Sequence, residues 1–332
     1  MKKQGRGIAT IMFGFGYGEG FPDHSIASAE IEEDGKILIR TAAADVGQGL
    51  LTVITQIAAE VLRVKLETIR IIQGDTHLTK NSGSTSASRQ TFFTGNAVKN
   101  AAEGLLGNIY HYASIYFVTN HVDLDIKDGY IFRKENPDNK LSYWEVAKKV
   151  KEKGKDLQAE ASFFPHTDKP DQKTGQGEKL YVAYTFVTQV IDVSVDTDTG
   201  IVEVLHVYTA ADIGKAINPQ NAEGQIEGGT VQGMGMALME EQIIKEGKTL
   251  NADLTGYLAP TSMDIPHFST RFIENEDSNG PYGAKGIGEP SLIATTPAIA
   301  NAIYDAIGVR IYHLPITPEK ILKALKEEKK KK

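Results

Sequence analysis

The chain has 332 residues, 41% of them hydrophobic, a formal net charge of −7 and no cysteine. That length buries a sizeable core and fits two subdomains, while the acidic balance argues against nucleic acid as a partner. The lack of cysteine excludes disulfides, thiolate nucleophiles and cysteine-held zinc or iron–sulfur clusters. The eight histidines show no metal-binding spacing, and no apolar stretch reaches membrane-spanning length.

In chain order, Met1 to Arg6 is basic, but no apolar run or cleavage site follows it, so a secretory signal is not expected. A cytoplasmic chain fits both this and the missing cysteine. Phe13-Gly14-Phe15-Gly16-Tyr17-Gly18-Glu19-Gly20 alternates aromatics with glycine. It is no dinucleotide fingerprint, because Glu19 stands where the third glycine would fall and neither strand nor helix frames it. Ile26 to Ile31 and Lys36 to Thr41 read as strands of a hairpin turning at Glu33-Asp34-Gly35. Behind Asp45-Val46-Gly47-Gln48-Gly49, the residues Leu50, Val53, Ile54, Ile57, Ala58, Val61 and Leu62 recur at helical spacing. Thr68 to Ile72 reads as a strand, and a second long helix is expected from about Ser86 to Tyr110.

Ser142-Tyr143-Trp144-Glu145 is a capping box, stapled by Leu141 and Val146, and its helix ends near Gly154. Phe164 to Glu178, rich in Pro, Asp, Lys and Gly, reads as a linker dividing subdomains 1–170 and 171–332. Tyr181 to Val195 and Ile201 to Ala210 form a longer hairpin, followed by a glycine-studded helix from about Ala222 to Glu240. In that helix, Gly224/Gly228 and Gly229/Gly233 each share a face, for close packing or for a ligand. Thr296-Pro297 caps a helix running to Gly308, Thr317-Pro318-Glu319 caps the last one, and Lys329 to Lys332 reads as a frayed, solvated end. Strands and helices mix without regular alternation, so the fold class is α+β.

Four glycine-rich loops each precede a helical pattern: Asp45 to Gly49, Ser82 to Arg89, Gly224 to Gly229, and Gly286-Ile287-Gly288-Glu289-Pro290. A loop opening a helix offers unpaired amides and the positive end of its dipole, a place for phosphate or another electron-rich group. Four such loops suggest one large cofactor gripped from several sides.

These loops, in this order and following Tyr282-Gly283-Ala284-Lys285, resemble the molybdopterin-binding subunit of the xanthine dehydrogenase/aldehyde oxidase family of molybdenum hydroxylases. The likeness covers the C-terminal half of the family's molybdenum subunit, and the Gly-Gly-Phe-Gly loop of the first half is absent. The arrangement is similar to that of split nicotinate and xanthine or purine dehydrogenases. The resemblance implies a molybdopterin-binding domain of two mixed α+β subdomains that hydroxylates a nitrogen heterocycle with oxygen from water. It implies a molybdopterin-type molybdenum cofactor, the cytosine dinucleotide form among its candidates. The metal then hangs from the pterin dithiolene and not from side chains. Expected partners are a large molybdopterin subunit completing the site, an iron–sulfur subunit and an FAD subunit, with a small heterocyclic substrate and neither nucleic acid nor membrane.

Carried over by position, Glu289 matches the active-site glutamate, a general base for the attacking oxygen. Glycines at 286 and 288 would leave room for its approach. Gln48, between Gly47 and Gly49, and Gln225 match glutamines that bond the cofactor or its oxo ligand. Ser84, Thr85, Ser86, Ala87 and Ser88 match the loop that wraps the pterin. Phe13 and Tyr17 fall where the family places aromatic walls of the substrate pocket.

Plainer readings stand beside these. Gln48 and the serine loop could cap the helices behind them. Arg89 could meet a cofactor phosphate or a surface carboxylate. Lys285, grouped with Gly288 as cofactor-binding, could orient the Glu289 loop or sit on the surface, and Phe13 and Tyr17 could be core. An aldehyde or carbon monoxide dehydrogenase fragment, and a non-catalytic structural subunit, are the alternatives to a heterocycle hydroxylase.

Overall fold

The structure is a computed structural model that describes residues 1–331. The chain folds as two compact units that exchange the polypeptide four times. One comprises Met1–Phe13, Tyr184–Asn275 and the chain from Ile287 onward; the other comprises Gly14–Ala183 and Glu276–Gly286. The sequence expectation of one boundary near residue 170 is therefore replaced. Phe164 to Glu178 lies inside the second unit, because Pro- and Gly-rich composition marks irregular chain and not its domain membership.

Strand β1 (Lys2–Gly14) opens the first unit and corrects the expectation that no strand precedes the aromatic–glycine segment. Its apolar alternation is masked by Gly5 and Gly7. A side chain at either would strike the backbone of the helix carrying Ala298, Ala302 and Ala306, so glycine stands where a hydrophobic residue would advertise a strand.

The second unit follows with β2 (Ser25–Ile31), β3 (Ile37–Thr41), α1 (Leu50–Leu62) and β4 (Ile69–Gln73). The β2–β3 hairpin forms as expected, with Gly35 at φ 83°. β3 and β4 pair in parallel, which requires the crossover that α1 supplies. Next come α2 (Gln90–Phe117), the three-stranded sheet β5 (Leu124–Lys127), β6 (Tyr130–Arg133) and β7 (Asn136–Ser142), then α3 (Tyr143–Lys151) and β8 (Gln158–Phe163). The Ser142 capping box is present in full. The larger sheet has the order β4-β3-β2-β8. Its inward residues Ala27, Ala29, Ile37 and Ile39 are buried, as are Ile54, Ile57, Phe92, Ala97 and Ala101 of α1 and α2.

The first unit resumes with β9 (Tyr184–Asp196), β10 (Val202–Asp212) and α4 (Pro219–Leu238). A two-strand ribbon, β11 (Ile244–Lys245) and β12 (Lys248–Thr249), precedes β13 (His267–Ile273). Helices α5 (Pro290–Ile293), α6 (Thr295–Ile307) and α7 (Pro318–Lys331) finish the unit. The expected β9–β10 hairpin forms, and the sheet order is β1-β9-β10-β13. Ile191, Val193, Val195, Val204 and Val207 form one core with Ala298, Ile299, Ala302 and Ile303 of α6. Asn218 caps α4 and Pro219 takes its first position, the pairing that fixes a helix start.

Two terminal expectations change. Thr296 does not cap α6: the helix begins at Thr295, and the Thr296 hydroxyl donates to the Gly233 carbonyl at 3.0 Å. Helix α7 takes in the C-terminal lysines up to Lys331, with Lys329 and Lys330 exposed to solvent as expected; Lys332, the last of that run, lies outside the described residues. Among the described residues, no helix is long and apolar enough to cross a membrane.

Candidate functional site

In the second unit, four of the singled-out segments converge. The Thr85 hydroxyl donates to the Ala44 carbonyl at 2.7 Å, tying the serine loop to the Asp45–Gly49 loop. Tyr17 Oη lies 2.5 Å from Ser84 Oγ and accepts from the Ser84 amide at 3.3 Å. Ser84 Oγ in turn lies 2.8 Å from Ser86 Oγ. These bonds, Ser84 first, stabilise the phenolate more than burial disfavours it, so the Tyr17 hydroxyl titrates below the usual phenol range. The aromatic core residue of this segment is Phe15, which packs edge-on against Phe92 at 5.0 Å. Tyr17 is thus a loop residue, while Phe13 belongs to the first unit.

Arg89 meets neither of the partners expected of it. Its guanidinium is fully buried and pairs with Asp23, itself 4% exposed, at 2.6 Å. Nη1 donates to the Ser82 and Ser84 carbonyls and Nη2 to the His24 carbonyl. The second Asp23 oxygen accepts from the Tyr17 amide at 2.8 Å. A planar fork of five donors is the side chain able to gather so many converging carbonyls. Arg89 therefore organises the loop from beneath, leaving Ser84 and Ser86 at the surface. Nothing in the local sequence marks Asp23 as its partner.

The loop carries backbone strain where it turns into α2. Ala87 and Ser88 both adopt left-handed conformations, φ 52° and 51°, which cost non-glycine residues energy and persist only where neighbours hold them. The Gly16 amide donates to the Ala87 carbonyl at 2.9 Å. The Ser88 carbonyl lies so close to Gly286 that any side chain there would collide with it. Gly286 is thus required by loop-to-loop contact, which replaces the expectation that it clears space for Glu289. Lys285, one residue before, is 7% exposed and so no surface charge. Tyr282, earlier in the same segment, is also left-handed at φ 53°. Burial, then Glu60 and Glu103, push its phenol up to about 12.

The Asp45–Gly49 loop corrects the simplest phosphate picture. Asp45 accepts from the amides of Gly47, Gly49 and Leu51, so a carboxylate of the chain already occupies the start of α1. Gln48 does not cap α1: its Oε1 accepts from the Val46 amide at 2.7 Å and its Nε2 donates to the Ala44 carbonyl at 3.2 Å. An acidic residue ahead of Gly-x-Gly and an apolar helix was the available signal for Asp45. A side chain at Gly47 would meet no neighbour.

In the first unit, the two glycine pairs of α4 separate cleanly. Gly229 and Gly233 pack on the next helices, where an added Cβ would run into Ser291 and Thr295. Gly224 and Gly228 face open space. One pair is thus explained by packing, and the other leaves bare backbone at the surface. Gln225 stands one turn before Gly229, on the face that meets Ser291. The Glu289 turn lies just before Ser291, and the Glu289 carbonyl accepts from the Leu292 amide at 3.1 Å. Glu289 is half-buried and Gly288 exposed.

Among the described residues, no group of three or more His, Cys, Asp or Glu side chains is arranged to hold a metal ion. The exposed groups are hydroxyls at Ser84 and Ser86 and uncovered backbone at Gly47, Gly224 and Gly228. Within each unit these groups suit a polar, hydrogen-bonding ligand approached closely by backbone.

Comparison with known proteins agrees. The model of the molybdopterin cofactor-binding domain matches residues 1–266. The gamma subunit of the 6-hydroxypseudooxynicotine dehydrogenase complex of Paenarthrobacter nicotinovorans is 32% identical over 328 residues, 96% of this chain and 39% of that one. The aldehyde oxidoreductase of Megalodesulfovibrio gigas is 35% identical over 329 residues, 98% and 32% of the two chains. The crystal structure of quinoline 2-oxidoreductase from Pseudomonas putida 86 matches with a TM-score of 0.84 at 27% identity, covering 98% of this chain and 42% of that one. The chain spans less than half the length of each of these relatives.

Proposed function

Because this chain belongs to the molybdopterin cofactor-binding domain family, we propose that it carries the base and part of the cofactor grip of a molybdenum hydroxylase acting on a nitrogen heterocycle. The observation that carries this reading is on α4. Gly224 and Gly228 leave backbone open beside Gln225, while Gly229 and Gly233 pack on the segment that follows Glu289. When bound, the molybdenum cofactor supplies the two-electron oxidation and the transfer of a water-derived oxygen.

The chain's residues do the rest. Ser84, Ser86 and Gln48 of the second unit, and Gln225 and Gly288 of the first, hold the cofactor by hydroxyl, amide and backbone groups. Ala87 and Ser88 shape their loop, and Arg89 and Thr85 brace it. Glu289 accepts the proton released as the new carbon–oxygen bond forms. Tyr17 orients substrate through its hydroxyl, with Phe13 as an apolar wall, and Lys285 holds the segment that leads to Glu289. Electrons leave to iron–sulfur and FAD subunits, since a chain without cysteine offers no thiolate for a cluster. A large molybdopterin subunit supplies the remaining grip, the pterin carries a cytosine dinucleotide, and the complex works in the cytoplasm.

The test uses the complex purified with its partners. Glu289→Gln keeps molybdenum and pterin content and lowers turnover about 10²- to 10⁴-fold, the range for loss of a general base; near-normal turnover sinks the assignment. Absence of molybdenum and pterin from the wild-type complex would favour a structural subunit instead. The 35% identity to an aldehyde oxidoreductase supports a second reading, an aldehyde substrate. Anaerobic dye reduction across nicotinate, purines and aldehydes separates the two.

A further inference from the structure

Beneath the Glu289 turn lies a buried network with no charge in it. Gln189 on β9 is completely buried. It falls on the inward phase of its strand, among Thr185, Val187, Ile191 and Val193, where the pattern calls for an apolar residue. Its Nε2 donates to Thr230 Oγ1 on α4 at 2.8 Å and lies 3.3 Å from both Thr209 Oγ1 and the Ser291 carbonyl. Its Oε1 accepts from Thr295 Oγ1 at 2.7 Å. Ser291, 2% exposed, donates its hydroxyl to the Gly288 carbonyl at 2.6 Å. On its other side Ser291 presses on Gly229, where there is no room for a Cβ. One amide thus joins strand β10, helix α4, and both ends of the α5–α6 junction. The hydroxyl of Ser291 passes that constraint to the residue immediately before Glu289.

We infer that Gln189 and Ser291 are positioning residues that set the direction of the Glu289 carboxylate, an inference that rests on Glu289 being the base. The physical reason is that buried polar groups tolerate only the geometry that satisfies all of them. A four-residue helix offers little stiffness of its own. The turn borrows its rigidity from β9 and α4. A carboxylate that must meet a proton within hydrogen-bond reach is sensitive to displacement on the order of 1 Å, which costs about 10²-fold.

The experiment compares Ser291→Ala and Gln189→Leu with the wild-type holo-complex. Both variants should keep molybdenum and pterin content and KM while kcat falls roughly 10- to 100-fold. Hydrogen exchange in the peptide covering 286–293 should quicken at least about tenfold, with exchange in the α2 peptides unchanged. In Ser291→Ala the loss of kcat should outweigh any change in melting temperature, because only the short hydroxyl bond to the Gly288 carbonyl is lost, leaving the longer one from the Ser291 amide at 3.4 Å. A Ser291→Ala complex with kcat within twofold of wild type, or with unaltered exchange across 286–293, overturns the inference. Glu289→Gln keeps the two layers separate. If it retains turnover, the base assignment fails; if it abolishes turnover while Ser291→Ala and Gln189→Leu turn over normally, only the positioning role fails.

Discussion

The serine loop of the second unit and the Glu289 turn of the first are both irregular segments fixed from below, by opposite means. Under the serine loop sits a buried cation: Arg89 gathers the carbonyls of Ser82, Ser84 and His24 and is balanced by Asp23. Under the Glu289 turn sits a neutral amide, Gln189, joined to the hydroxyls of Thr230 and Thr295. The difference follows the local supply of unpaired groups. The serine loop and the chain entering β2 bring the carbonyls of Ser82, Ser84 and His24 to one point, which calls for many donors in one plane. The Glu289 turn hands on to helices at once and leaves few carbonyls over. A neutral support also adds no charge beside a carboxylate that has to take up a proton.

The largest effect expected from this contrast is on folding. Arg89→Met should destabilise the second unit by about 3–5 kcal/mol, because Asp23 is left buried and unpaired; the double variant Arg89→Met/Asp23→Leu should recover part of the loss. Chemical denaturation measures both, and equal stability of single and double variants would show that the charge pair is not what matters. Gln189→Leu should cost less, about 1–3 kcal/mol, as hydroxyls and a carbonyl lose a neutral partner. If it costs as much as Arg89→Met, the distinction between charged and neutral support is void.

The two glycine faces of α4 sharpen the same point. Gly229→Ala drives a methyl into Ser291 and should cost about 1–3 kcal/mol. Gly228→Ala meets nothing and should stabilise the chain by about 0.5–1 kcal/mol through helix propensity, while lowering pterin content of the purified complex. Unchanged pterin content in Gly228→Ala would remove that face from the cofactor grip. The smallest effect is spectroscopic. Tyr17 ionises before the ordinary tyrosines because Ser84 and Ser86 bond its oxygen, so the first phenolate absorbance should appear at lower pH in wild type than in Ser84→Ala, and Tyr17→Phe should lack that early component while keeping the absorbance of the other tyrosines. A depressed folded-state pKa contributes stability only above the unfolded phenol value, and that contribution is lost as pH falls through the folded one. Neutral-pH stability should therefore be the same in wild type and Tyr17→Phe, apart from the lost bond.

Much of the scaffold was legible. The capping box at Ser142, the two hairpins, and helix α1 behind Gly47-Gln48-Gly49 follow from spacing, caps and turn residues acting over a few positions. The start of α2 was expected about four residues early, since the polar serine run gives no sign that the loop extends to Arg89. Strand β1 was hidden by glycines whose reason is the helix against them. The family likeness read from the four loops agrees with the match over residues 1–266.

The sequence by itself determined the periodic elements and three of the four glycine-rich loops, because both are written in neighbours a few residues apart; the fourth, Gly224 to Gly229, lies inside α4 instead. Only the tertiary structure decided what those loops are for locally. It turned Arg89 inward, split the α4 glycines into a packed and an open pair, and set Gln189 under Glu289. Each of those outcomes depends on a partner distant in the chain, such as Asp23, 66 residues from Arg89, and Thr295, 106 residues from Gln189. Such contacts leave no periodic trace, because burial and hydrogen-bond satisfaction are settled only when distant segments meet.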